Sequence, residues 1–213
     1  MSIALRIPRV LVLSLALMTV GCATPRVEPP PLLSLSNRRC EANPNWAAAS
    51  TIAYDPSKHR GDASAEITSA SACFEDAVGQ SLYAVYRLPS LPATSLVRVE
   101  STPQGQTLMA PRVLLYGPHG RLKRQLSGSR VVFRGSALSV IFRSHADERY
   151  LVVASDPAVV GHAIARIRDA VQGSAIYAYP YIVPVYTGAD ATVKNVLSYN
   201  GRVTVALRAL PAE

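Results

Sequence analysis

Cys22 is the residue whose position says most about chemistry. Arg6 and Arg9 precede the apolar run Val10–Val20, which closes in Gly21-Cys22-Ala23. A helix of that length is about 16 Å long, short of a bilayer core of about 30 Å, so residues 1–21 read as an export signal and not an anchor helix. A thiol directly behind such a run suits diacylglyceryl transfer, after which Cys22 would be the mature, lipid-bearing N-terminus. Ordinary signal cleavage near Ala23 is the alternative, since Gly21 and Ala23 are small residues two apart. Several acyl chains, palmitate among them, would hold the protein on a membrane, each buried methylene contributing about 0.8 kcal/mol. Ala23, in a place where inner-membrane lipoproteins often carry Asp, points to the periplasmic side of the outer membrane.

With Cys22 assigned to lipid, Cys40 and Cys73 remain as one pair. In an oxidising compartment they are expected to form a disulfide; the other reading is two buried thiols. Their spacing fits no zinc pattern. His145, Asp147 and Glu148 cluster three proton carriers or ligands, but they fall between two strand-like runs, where a solvated turn is expected ahead of a metal or catalytic site. His119 sits in a Pro-Gly turn, and His162 has no evident partner. Tyr177, Tyr179 and Tyr181 recur at intervals of two, with Tyr186 beyond. On one extended run they could stack on sugar faces, or else cover a sheet edge that Pro180 and Pro184 protect from pairing. There is no Gly-x-Ser-x-Gly, no His-Glu-x-x-His, no P-loop and no dinucleotide fingerprint, so no catalytic residue, cofactor or metal is assigned.

The 213 residues are 49% apolar and 17% charged, enough for a real core and too apolar for wholesale disorder. The net charge of +8 is carried mostly by Arg. Outside the cytoplasm nucleic acid is not an expected partner, and Arg121, Lys123 and Arg124 read as a soluble face or a contact for anionic lipid.

The elements that must position these residues are mainly β. Residues 22–33 contain Pro29-Pro30-Pro31 and read as an extended tether. Residues 34–78 have turn formers and little periodicity, and are expected to be loop-rich, with Trp46 and Tyr54 plugging into the β domain C-terminal to them. From 79 to 210, SLYAVYRLP, SLVRVEST, APRVLLYG, RVVFRG, ALSVIFRS and ERYLVVAS predict an antiparallel, β-sandwich-like domain. The last of these is the most apolar and should be central. Asp156-Pro157 reads as a helix start, and Val160, Ala163, Ile164, Ile167, Ala170 and Val171 recur at helical spacing. One α-helix is therefore predicted around 157–172, packed on the sheet. Asn200-Gly201 between alternating runs predicts a C-terminal β-hairpin.

From Cys73 to Ala209 the order of YAVYRLP, APRVLLYGPHGR and ERYLVVASDP resembles the MalM family, the periplasmic protein of maltose operons with its related bacterial lipoproteins. The sharpest pieces are Ala110-Pro111-Arg112-Val113-Leu114 and Tyr150-Leu151-Val152-Val153. The resemblance implies a non-catalytic, periplasm-facing accessory module linked to maltose or maltodextrin transport or other envelope carbohydrate handling. Expected partners are the membrane, through lipid, and a carbohydrate or an envelope protein. A purely structural envelope lipoprotein is the first alternative, and a hydrolase assembled from distant residues the second.

Overall fold

Alternation of β-branched and aromatic residues sets the local structure, and long-range pairing then sorts the strands into three sheets. The computed structural model describes residues 31–89, 95–178 and 181–209, the side chains of 166–178 and 181–192 excepted. In chain order the strands are β1 (Ser50–Thr51), β2 (Ala53–Asp55), β3 (Arg60–Ile67), β4 (Cys73–Asp76) and β5 (Gly79–Arg87). They continue as β6 (Ser95–Thr102), β7 (Thr107–Met109), β8 (Pro111–Tyr116), β9 (Leu122–Leu126) and β10 (Val132–Arg134). The last five are β11 (Ala137–Arg143), β12 (Tyr150–Ser155), β13 (Ala163–Ala178), β14 (Tyr181–Ser198) and β15 (Gly201–Ala209). Four of these strands come from the segment expected to be loop-rich.

Two six-stranded sheets form a sandwich. The first runs β1-β5-β12-β8-β9, with β4 sharing an edge of β5; the second runs β10-β11-β6-β15-β3-β2. The apolar ERYLVVAS run does become a central strand, β12, between β5 and β8. Between the sheets lie Leu82, Tyr86, Val113, Leu115, Leu151 and Val153 from the first and Val97, Val99, Val140, Val203 and Val205 from the second. Strands β8 and β12 are buried on both faces, because Phe74, Tyr83, Leu114, Tyr116 and Val152 form a second cluster on the outer side of the first sheet. Trp46 closes that cluster, its ring 4.8 Å from Tyr116 and 5.1 Å from Tyr150. The Cys40–Cys73 disulfide is formed, with Cα atoms 4.9 Å apart, and it pins the covering segment to β4. Burial at Arg112 is complete: the guanidinium pairs with Asp76 at 2.9 Å, donates to Ser81 Oγ at 2.9 Å and lies over the Phe74 ring.

Two expected elements are absent from their places. No α-helix occupies 157–172. Asp156 does cap a turn, its Oδ1 accepting from the Ala158 N–H at 3.2 Å, but Gly161 then takes a φ of +88° and ends the turn. From Ala163 the chain is a strand, paired residue for residue with β14. The apolar spacing that fits a helix also suits a strand rich in Ile and Val, and the long ladder decides between them. The second correction concerns Asn200-Gly201. The strands on either side do not pair: β14 joins β13 and β7, whereas β15 lies between β3 and β6. Gly201 is needed there for close approach, since a Cβ would sit 2.7 Å from Met109 Cβ. The hairpin of this region is instead β13–β14, one sheet with β7 at its base.

Candidate functional site

The residues singled out for chemistry do not converge. Glu148 is buried in a forked pair with Arg124, Nε to Oε1 at 2.6 Å and Nη2 to Oε2 at 3.1 Å, and Arg124 also donates to the Arg143 carbonyl. Its Oε2 accepts from the His145 N–H at 2.9 Å, which shapes the β11–β12 turn. Asp147 meets Lys123 Nζ at 2.7 Å, and that hydrogen bond holds its carboxyl below the usual range. Each acid of the cluster thus has a cationic partner in β9, an arrangement that holds a turn. The partners also account for two members of the basic trio: Lys123 and Arg124 are neutralised locally, while Arg121 lines a shallow cleft of about 370 Å³ with His119 and Arg149. Among the described residues no three His, Cys, Asp or Glu side chains gather as a metal site.

The outer face of the second sheet has a groove of about 380 Å³ in which Arg60, Arg98 and Arg208 surround Leu96 and Ile141. Arg60 and Arg208 are direct cross-strand partners, and like charges so placed repel. Asp62 lines the same groove, and Arg98 reaches Glu100 at 3.5 Å, so the face is basic but partly balanced.

Cys22 lies outside the described residues, and so does Tyr179. Tyr177 falls in β13 opposite Ile182, Tyr181 in β14 opposite Ala178, and Tyr186 opposite Gly173. The chain reverses between Ala178 and Tyr181, so the tyrosines do not follow one another along a single extended run. What sequence reasoning missed is the element that carries them. β13 and β14 pair without a break from Ala163↔Val196 to Ala178↔Tyr181, and only Val196–Ser198 of β14 also pairs with another described strand, β7. Sixteen residues of strand at about 3.3 Å each make a ribbon of about 50 Å. Its base is packed: Ile164 and Leu197 meet Leu108, Ala110 and Leu138. A signal was available in the chain, for no charged residue occurs from Ala170 to Ala189.

Comparison with family models, with characterised proteins and with solved structures returned no match.

Proposed function

We propose that this chain is a lipid-anchored, non-catalytic protein of the bacterial envelope, similar to the MalM family, whose sandwich is a rigid carrier for an assembly arm. The observation that carries the reading is the β13–β14 ribbon, which outside its base has no other described strand beside it. A two-stranded ribbon alone in water is marginally stable, and its edges offer unpaired N–H and C=O groups, so an arm of this length calls for something to cover it. The export signal and Cys22 supply the location, and the Cys40–Cys73 bridge suits an oxidising compartment.

Metabolic labelling of the full chain with a fatty-acid analogue tests the anchor. Label on the wild type and none on Cys22→Ala is the expected result; equal labelling of both, or of neither, removes it. A carbohydrate role, maltodextrin handling above all, stays with the family resemblance. A thermal-shift series against maltooligosaccharides decides it: stabilisation keeps the role, and no shift at millimolar ligand takes it away.

A further inference from the structure

The ribbon's register and its charge gap together say what covers it. The ladder pairs 170 with 189 through 178 with 181, so the uncharged stretch folds into two facing arms of nine residues each. Strands that cross a bilayer in a barrel are about 9–11 residues long and tilted by about 45°. By register, Val171, Gly173, Ala175 and Tyr177 share a face with Ile182, Pro184, Tyr186 and Gly188. The opposite face takes every Gln, Ser and Thr of the two arms: Gln172, Ser174 and Thr187. Ile176, Val183 and Val185 share that second face, so it is the polar side chains that are confined to one side, as the lumen side of a membrane barrel asks. The tyrosines nearest the reversal stand where such barrels carry an aromatic girdle.

The boundary toward the sandwich is marked as clearly. Asp169 pairs with Asp190, a like-charged pair that hydrocarbon would not tolerate, and Arg166, Arg168 and Lys194 follow, suited to anionic headgroups. An independent feature brings the anchor to the same end of the molecule. Leu32 Cδ1 lies 3.7 Å from where a Cβ on Gly161 would sit, two residues before β13 begins. Cys22 is ten residues before Leu32, a reach of at most about 36 Å. The charged base of the ribbon, 163–169, spans about 23 Å. Lipid and arm therefore reach one bilayer from one point.

We propose that the distal half of the β13–β14 ribbon crosses the membrane, and that it does so in a closed barrel built with the same ribbon from further copies of this chain. Closure follows from physics. A lone ribbon has two open edges, and each unsatisfied backbone group in hydrocarbon costs several kcal/mol, so only a ring of ribbons inserts. A head-to-tail ring sets each β14 edge against the next β13 edge and leaves none free. Pro184 removes one donor from the ribbon, a single gap in an otherwise complete ladder. Among the described residues no helix is long and apolar enough to cross a membrane.

This inference rests on the membrane location proposed above, and its test separates the two. Gln172→Cys, Gly173→Cys, Ser174→Cys and Ala175→Cys are made in the full, lipid-bearing chain, labelled with an environment-sensitive dye, and reconstituted into vesicles of anionic phospholipid. Flotation reads the anchor. A blue shift with quenching by brominated lipid at 173 and 175 but not at 172 and 174, together with cross-linked species at multiples of the monomer mass, is the expected result. Water-like emission at all four positions on floated vesicles overturns the proposal and leaves the anchor standing. Identical lipid quenching at all four, in a species that cross-links only as monomer, also overturns it. The same alternation in a Cys22→Ala background upholds the barrel even where the anchor fails, and a chain that never floats ends both.

Discussion

Tyr86 occupies the middle of the main core with its hydroxyl buried and without a hydrogen-bond partner among the described residues. Burial alone pushes its pKa up to about 12. Burial also raises Tyr83, against the Asn45 N–H that its hydroxyl accepts at 2.7 Å, and raises Tyr116, there helped by Asp76 and opposed by Arg112. A phenol whose folded pKa lies above its unfolded value of about 10 favours the folded state fully below pH 10. The advantage is lost as pH climbs toward 12, because the unfolded chain releases a proton that the native chain keeps. Tyr86→Phe is expected to unfold at a higher urea midpoint at pH 7, by roughly 1 kcal/mol, since it removes a polar group that has no partner. The variant should also lose less stability than wild type between pH 10 and 12. A lower midpoint at pH 7, or an unchanged alkaline slope, would count against this account. The sequence marks Tyr86 as a residue of a strand-like run. It cannot mark the missing partner, which depends on what the opposite sheet presents. Arg112 is the same case: the run APRVLL reads as packing, and only the fold brings Asp76 and Ser81 around its charge.

At the scale of elements, local signals succeed where pairing is local and fail where it is not. The β11–β12 turn and the central place of β12 follow from runs that can be read residue by residue. Asp156 is the cap that its side chain and its neighbour Pro157 suggest, but the capped turn ends at Gly161, and the periodicity behind it belongs to a strand because β14 lies alongside. Asn200-Gly201 has hairpin chemistry, yet its flanks are claimed by different sheets. The disulfide is the element-level feature that cysteine count and compartment do predict. It bridges a separation of 33 residues, and closing such a loop contributes about 3–4 kcal/mol on the chain-entropy model. Beside it Glu41 bridges Phe74, and Arg38 donates to the carbonyls of Ser69 and Ser71, so the cover over the first sheet depends on this junction. Reduction, or the double change Cys40→Ala with Cys73→Ala, should lower the unfolding free energy by that amount, read as a lower urea midpoint at unchanged slope. Quenching of Trp46 fluorescence should change in the same transition, because its ring rests on Tyr116 and Tyr150 under the tied segment. Identical midpoints with and without reductant would mean that the cover holds without the bridge.

For the molecule as a whole, the described core of the sandwich is built without the ribbon. Every described residue of the main core between the two large sheets lies outside 163–198, as does every described member of the cluster under Trp46. The base of the ribbon touches the body through Ile164 and Leu197 against Leu108 and Leu138. Replacing residues 168–191 by a short turn keeps that base and its pairing with β7 while removing the uncharged arms. The shortened protein should therefore unfold at the same urea midpoint as the full chain, within roughly 0.5 kcal/mol, the range of changes far from any core. Its association should change completely. The full chain, extracted in detergent, is expected as an oligomer, and the shortened one as a monomer that lipid alone still carries to vesicles. A large loss of stability would show the ribbon to be part of the fold and not an arm. An oligomer that persists without the ribbon would move the contact to the sandwich, where the basic groove around Arg60, Arg98 and Arg208 is the next surface to mutate. The experiment thus asks one question of the whole chain: whether a domain rigid enough to stand alone is built to carry an element that cannot.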